Sequence, residues 1–582
     1  MPDPGARSPM TARRAQRRSS VGTTLQTGGL TGRYQLQPAD GKPSCPVWLL
    51  LLFAILIFAS LGDRSLQGDE TNIAIPALNI LRCHAPTVNC GNMLVPPSEQ
   101  QGFPVRQGIW VANSPAYDFI TAPFLLAGRS TFLARLPFAI IGLLSLLLFS
   151  LYVSRFLKST ALLMAQLLFA LNVMLLLYIR QARYYSIAVF AMLLLAEGYE
   201  RFLAHQPSGT IMVAIAPVLL FHSSYTLAIT ALIGLMGAYL LDIAAIPSHR
   251  RRQHLIQAAV ALVAFLLLSV PWALWANLLG NAGNVGVPMS FAHKLLVHSL
   301  QYLFDINNHL FPLLLLLLAL LPVSSAIGPL PRRIKAVPII TILAAIIIMP
   351  AGTALFHHIL FTLPFFAIIS AVLVMRAGRL AWPLVILLVC SNLISALPVM
   401  AALPLQQRIG ASFGSSSFSQ FQDAAKPRML LFDYAREITN PTTDKTEAVS
   451  LFLQANAQPH DIAALLDWRL KGPLLLTVDQ CMYTPTGFRW NDTLALDMDK
   501  ETVASTARSF TESSTLFANW VVSDTPLPLQ GFVRHDVAYD DIGCGNFPSL
   551  RCRIMGPGTP STVIVYERLN KVGASGSCPV EQ

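Results

Sequence analysis

The sequence predicts a polytopic α-helical membrane protein with a soluble α/β domain at its C-terminal end. Apolar residues make up 54% of the 582 and charged residues only 12%, with a mean hydropathy of +0.54. A soluble domain carries about 25% charged residues. The apolar residues fall in successive runs near the length, about 20 residues, that a membrane helix needs. Beyond position 402 the charges return and the apolar runs shorten to strand length. The net charge of +11 is not a nucleic-acid signature, because the basic residues sit in short clusters between apolar runs. That distribution is the one the positive-inside rule produces.

Taken in order, residues 1–44 are polar, rich in Gly, Ser and Thr, and carry Arg7, Arg13, Arg14, Arg17, Arg18, Arg33 and Lys42. They read as a disordered basic cytoplasmic tail. The first helix, about 47–62, has no small-residue cleavage site after it and reads as an uncleaved anchor. A long outer loop, 63–130, follows. It holds the adjacent carboxylates Asp69 and Glu70, then Cys83 and Cys90, then a semi-apolar stretch at 114–127 that is too short to span. That stretch is expected to form an interfacial or re-entrant helix.

Further spans are expected at about 132–154, 160–178, 185–203, 210–222, 225–245, 256–279, 310–327, 336–350, 359–375 and 380–402. With the first helix they give about eleven spans in a domain covering 45–402. An outer loop at 280–308 carries His293, Lys294, His298 and Asp305. Basic clusters such as Arg250–Arg252 lie on the inner side, so the N-terminus is placed inside and the C-terminus outside.

The last part, 403–582, is read as an extracytoplasmic α/β domain. Strands are expected at 429–432, 473–478, 520–523 and 562–566, and helices at 445–456 and 461–470. Six of the eight cysteines fall in outer segments: Cys83, Cys90, Cys481, Cys544, Cys552 and Cys578. An even outer set suits an oxidising compartment, with Cys83–Cys90 as the natural local bridge. The other four allow three pairings, or a zinc site that lacks the usual C-x-x-C pair.

The polar residues with chemical potential sit at helix ends on the outer side. Asp69 and Glu70 lie a few residues past the first helix, where a carboxylate can take a proton from an acceptor. Ionisable groups at that depth are costly and usually mark a site. Arg129, Arg135, Arg180, Arg183, His222, His293, Lys294, His357 and His358 supply cationic points at the same level. A carboxylate ringed by arginine suits a phosphate carried on a lipid, since arginine grips phosphate bidentately. Blander roles compete: Arg135 as a snorkelling side chain, His222 as a hydrogen-bonded core histidine. His357 and His358, being adjacent, point to different faces and do not chelate as a pair.

Several elements together resemble a known family. They are Asp69-Glu70 after the first helix, Ser130-Thr131-Phe132-Leu133-Ala134-Arg135-Leu136-Pro137 opening the second, Arg180-Gln181-Ala182-Arg183-Tyr184-Tyr185 at the third-to-fourth turn, and Leu363-Pro364-Phe365 in a late helix. The pattern, over about 47–402, is similar to the GT-C integral-membrane glycosyltransferases. Within them it is nearest the dolichyl-phosphate-mannose-protein mannosyltransferase and aminoarabinose transferase superfamily. The resemblance implies a transferase that takes a sugar from a polyprenyl-phosphate donor and delivers it, with inversion, to a lipid, protein or polysaccharide acceptor. It implies Asp69 as base with Glu70 beside it, and Arg183, with Arg180, Arg135, His357 and His358, around the lipid phosphate. His222 and Tyr184 are candidates for the sugar or acceptor. His357-His358 stands where the family often has a basic residue and a tyrosine. No extra sugar-binding module is recognisable, which favours a bacterial inner-membrane enzyme. No nucleotide-type Gly-rich loop is present. A divalent metal held by Asp69, Glu70 and a histidine is an optional cofactor.

Two other classes compete. A lipid-linked-sugar flippase needs polar residues along a path through the spans, and apart from Glu197 and Asp242 these spans read as nearly charge-free. A non-catalytic envelope scaffold has no need of an acid-and-arginine belt.

Overall fold

The computed structural model describes residues 45–66, 68–87, 90, 105–111, 114–243, 246, 248–281, 289–321, 330–350, 354–409, 424–440, 443–459, 461–466, 470–483, 518–541 and 559–571. The N-terminal tail and the pairing of the four C-terminal cysteines lie outside these residues. Helix α1 (Val47–Phe58) leads to α2 (Gly68–Cys83) and α3 (Ala116–Leu125), with a two-residue β1–β2 hairpin (Val105–Arg106, Ile109–Trp110) between them. A disulfide joins Cys83 at the end of α2 to Cys90. Helix α3 is the short helix expected at 114–127, and it packs on α2 and α4 (Thr131–Val153). Ser130 caps α4 by accepting from the Leu133 N–H at 3.2 Å, a standard way to satisfy a helix's first free donors.

The bundle continues with α5 (Ser159–Ala170), α6 (Val173–Ile179), α7 (Tyr185–Leu203), α8 (Pro207–Ser223), α9 (Tyr225–Ile243) and α10 (Ser248–Trp275). Then come α11 (Phe291–Asp305), α12 (Arg332–Ile348), α13 (Leu363–Met375), α14 (Ala381–Cys390) and α15 (Leu393–Ile409). Among the described residues, α4, α9 and most of α10 are each long and apolar enough to cross a membrane, and three bent pairs pass the same test. Their outer surfaces are apolar: Leu255, Ile256, Val260, Leu266 and Leu267 of α10 are exposed. In a water-soluble fold such a face would be buried; here it suits lipid. The chain is built as an integral membrane protein.

The bent pairs correct two uninterrupted helices and one outer loop expected from the sequence. The span at 160–178 bends by 52° between α5 and α6, and the last span bends by 69° between α14 and α15. The region expected as an outer loop at 280–308 is largely helix α11, which bends by 74° into a 3-10 segment, Leu313–Leu320. The breaks adjoin one cavity, lined among others by Asn172, His309, Pro312, Ser391 and Asn392. Side-chain amides replace the lost helical bonds there. Asn172 accepts from Leu175 N at 2.9 Å and donates to the His309 carbonyl at 2.8 Å. Asn307 accepts from Leu313 N at 3.1 Å and donates to the Ser395 carbonyl at 2.8 Å. Non-helical backbone at membrane depth is tolerable only when satisfied in this way.

The C-terminal part holds α16 (Leu430–Thr439), α17 (Lys445–Asn456), α18 (Lys471–Thr477) and a five-stranded mixed sheet of order β4-β3-β5-β7-β6. The strands are β3 (Ile462–Leu465), β4 (Cys481–Tyr483), β5 (Trp520–Ser523), β6 (Phe532–Asp541) and β7 (Thr559–Arg568). β3 runs parallel to β4 and β5, whereas β7 is antiparallel to β5 and β6. The expected strands at 520–523 and 562–566 and the helix at 445–456 are present. Three assignments change. Residues 429–432 open α16 and 473–478 lie mainly in α18, whereas β3 occupies the start of the helix expected at 461–470. Four-to-six-residue apolar runs do not distinguish a strand from a buried helical turn. Tertiary partners decided each case: α16 lies against the bundle through Tyr434 and Ile438, and Ala463, Ala464 and Leu465 of β3 are wholly buried in the sheet.

Candidate active site

Helix α2 carries the acidic pair in its first turn. The Asp69 side chain is outside the described residues. Glu70 is 1% exposed. Its Oε1 accepts from Arg135 Nε at 2.9 Å and from the Ala182 backbone N–H at 2.8 Å, and its Oε2 accepts from Arg135 Nη2 at 2.8 Å. Arg135 also donates through Nη1 to the carbonyls of Leu61 (3.1 Å) and Arg64 (2.8 Å), and through Nη2 to that of Ser65 (3.0 Å). A guanidinium has five N–H donors, and all five are accounted for. Arg135 was expected at the lipid phosphate; its donors are all used within the protein. It holds the α1–α2 turn and Glu70, and has no donor left for a phosphate. Its position one turn into α4 places it beneath that turn, where five acceptors converge.

Arg180 and Arg183, three residues apart, also separate. Arg180 donates to the Tyr434 hydroxyl at 2.9 Å and to the Ala59 carbonyl at 2.6 Å, and lies over the Tyr434 ring. It joins α1 to α16. Arg183 lies over the rings of Tyr184 and Tyr185, at 5.5 and 5.0 Å, and donates to the Tyr185 hydroxyl at 2.5 Å. His357, in the 3-10 turn Phe356–His358, stands 5.2 Å from the Tyr185 ring and 6.2 Å from those of Tyr178 and Tyr184. His358 stacks edge-on to His357 at 4.4 Å. Arg183, Tyr184, His357 and His358, far apart in sequence, therefore form one aromatic, cationic corner. Burial, then His358 and Arg183, push the His357 imidazole well below its usual range. It is neutral at pH 7 and offers an N–H rather than a charge.

No family model and no curated protein matches the chain. Among solved structures, ArnT from Cupriavidus metallidurans bound to undecaprenyl phosphate aligns over 92% of this chain and 99% of its own, with a TM-score of 0.52 at 14% identity. The chain has the GT-C glycosyltransferase fold. The apo state of the same ArnT aligns over 82% of this chain and 92% of its own, with a TM-score of 0.48 at 14% identity. An Archaeoglobus fulgidus oligosaccharyltransferase tethered to an acceptor peptide aligns over 82% and 69%, with a TM-score of 0.41 at 12% identity.

Within this GT-C fold the remaining candidates divide. His222 accepts at Nδ1 from Ser114 Oγ at 2.9 Å, which leaves Nε2–H to donate to the Leu268 carbonyl at 3.3 Å; the tautomer follows from this network. Both ring nitrogens are used in tying α8 to the approach of α3 and to α10. Lys294 and His298 pin α11 to the end of α12, through the carbonyls of Ile347 (2.7 Å) and Ile346 (3.2 Å). Arg129 pairs with Asp479 at 2.5 Å. Among the described residues no group of three His, Cys, Asp or Glu side chains is arranged to hold a metal ion.

Asp118, on α3, was not singled out by the sequence. It is 6% exposed, and its Oδ1 has no hydrogen-bond partner among the described residues. Burial raises its carboxyl well above the usual carboxylate range. Its neighbour Tyr117 is 2% exposed, with an unpartnered hydroxyl among the described residues, and is shifted upward by burial and by Asp118. The available signal was a lone carboxylate inside a semi-apolar stretch.

The GT-C bundle's opposite end also differs from expectation. The spans there carry Glu200 besides Glu197 and Asp242. Glu197 pairs with Arg155 (2.5 Å) and Arg201 (2.7 Å), and Glu200 with Arg333 (2.5 Å), which also reaches Asp242 at 3.6 Å. Three acids meet three arginines, and the network ties α4, α7, α9 and α12 together. Arg333 is thus a helix-bridging residue.

Proposed function

We propose that this protein moves a sugar from a polyprenyl-phosphate donor to an acceptor hydroxyl on the extracytoplasmic side of a bacterial inner membrane. One observation carries the reading. The Ala182 N–H bonds to Glu70 at 2.8 Å, so the acid-bearing start of α2 meets the turn that carries Arg183. This contact supports a reading in which a carboxylate and a cation more than a hundred residues apart in sequence serve one headgroup. The overlap with an undecaprenyl-phosphate-bound ArnT over nearly its whole length supports the same class of donor.

In the proposed mechanism the lipid phosphate rests against Arg183, with the His357 N–H and Tyr184 beside it. Asp69 takes the proton of the acceptor hydroxyl. The acceptor oxygen forms its bond to the anomeric carbon as the carbon–oxygen bond to phosphate breaks, and the single displacement inverts that centre. The lipid phosphate leaves as an anion whose developing charge Arg183 stabilises, usually the largest catalytic contribution. Glu70 positions rather than reacts, because its oxygens are held by Arg135 and Ala182. The saturated ion network at the opposite end disfavours a flippase, which needs exchangeable polar groups along its path.

The test is transfer in membranes supplied with labelled polyprenyl-phosphate sugars. Asp69→Asn and Arg183→Ala should each remove transfer. Undiminished transfer by Asp69→Asn overturns the mechanism.

A further inference from the structure

The turn between α1 and α2 is held from two sides. The bundle grips it through Arg135 and Arg180, as described above. The C-terminal part grips it with α16 and the start of α17. The hydroxyl of Tyr434, a residue 0% exposed, donates to the Leu56 carbonyl at 2.6 Å while accepting from Arg180 at 2.9 Å. Ser60 Oγ donates to the Ile438 carbonyl at 2.6 Å. Arg64 pairs with Glu437 at 3.2 Å. Asp444 accepts from both the N–H (2.8 Å) and the hydroxyl (3.0 Å) of Ser65. The same carboxylate caps α17 by accepting from Glu447 N at 2.9 Å.

We propose that α16 and the cap of α17 are positioning elements of the active site, and that Tyr434 and Asp444 set the height and angle at which α2 presents its acidic pair. This rests on the transferase reading and assigns the C-terminal part a role inside the reaction, not only in gathering acceptors. The placement of the contacts carries it. They fall on 56–65, just before Asp69 and Glu70, and on Arg180, three residues before Arg183. Tyr434 therefore bonds at once to the segments leading to both halves of the proposed site. Asp444 joins two helix starts through one carboxylate, so α17 cannot shift without moving Ser65 and the entry to α2. A shift of about 1 Å in a reacting group can cost on the order of 100-fold in rate.

The test uses the full-length protein in lipid vesicles. Asp444→Ser keeps a good N-cap residue for α17 but is too short to span to Ser65. Tyr434→Phe removes only the bridging hydroxyl and serves if the first variant is poorly folded. The donor is a labelled polyprenyl-phosphate-sugar pool, and the acceptor is native membrane extract. Positioning predicts a maximal rate lower by about tenfold or more, an unchanged half-saturating amount of extract, and faster amide exchange at 61–66. A raised half-saturating amount with an unchanged maximal rate would assign the domain to recruitment and overturn the proposal, as would unchanged rate and exchange. If the wild-type protein transfers nothing, the transferase reading fails; unchanged amide exchange in both variants would then separately overturn the clamp.

Discussion

Arg135 and Glu70 form a two-point ion pair with bonds of 2.8 and 2.9 Å, buried at the junction of α2 and α4. The pair separates two acids adjacent in the sequence. Glu70 is bound into the scaffold, and the proposed chemistry falls to Asp69. Removing one partner of a buried pair costs about 3–5 kcal/mol. Glu70→Gln and Arg135→Ala should therefore each lower the thermal unfolding midpoint of the purified protein by several degrees. Arg135→Lys should fail to restore it, since one ammonium cannot serve five acceptors. Asp69→Asn should leave the midpoint near wild type while removing transfer. Equal midpoints for Glu70→Gln and Asp69→Asn would refute the division.

Arg180 and Arg183 should separate in the same manner. Arg183 lies at the aromatic corner, whereas Arg180 bonds to Ala59 and Tyr434. Hydrogen bonds to charged groups contribute about 1.5–3 kcal/mol, so Arg183→Ala should weaken binding of undecaprenyl phosphate by about 10- to 100-fold. Arg180→Ala should change that affinity little and instead speed proteolysis between α15 and α16. Titration calorimetry and timed digestion read the two effects. Equal losses of affinity would mean that both arginines face the phosphate.

Asp118 gives a prediction with a definite sign. Its folded carboxyl titrates above its unfolded one because burial disfavours the anion. Stability from this group is fully present below the unfolded value and is lost as pH rises toward the folded one. Asp118→Asn, neutral at every pH, should match or exceed wild-type stability at pH 7–8, and the difference should shrink toward pH 4. Midpoints measured across that range check it. A variant less stable than wild type at pH 8 would indicate that Asp118 is ionised and paired.

The membrane architecture was legible because apolar runs and basic clusters are properties of the chain itself. The helix breaks were not, since Asn172, Asn307 and Asn392 act through partners far along the chain, such as His309, Ser395 and Lys426. Motif spacing brought Glu70, Arg135 and Arg183 to notice, but could not tell a scaffold arginine from one facing a ligand. That distinction lies in which acceptors surround each guanidinium. Asp118 escaped because its unusual property, a buried Oδ1 with no partner among the described residues, belongs to the fold and not to the chain. The strand and helix exchanges at 429–432 and 461–470 have the same origin, in that short apolar runs take the form their neighbours impose.

Glu447 should couple this clamp to pH. Burial, then Asp444 and Asp63, push its carboxyl up from 4.5 to about 7. The charged residues next to those two acids in the chain are already committed, Arg64 to Glu437 and Lys445 to Asp524. Below pH 4.5 Glu447 is protonated both folded and unfolded, so its contribution is fully present. As pH rises through about 7, the folded group must ionise beside two other carboxylates, and that contribution is lost. The contact of Asp444 with Ser65 should therefore loosen between pH 6 and 8. Amide exchange at 61–66, corrected for its intrinsic pH dependence, should quicken over that interval in the wild-type protein and stay flat in Glu447→Gln. Identical pH profiles for the two proteins would show that Glu447 does not govern the clamp.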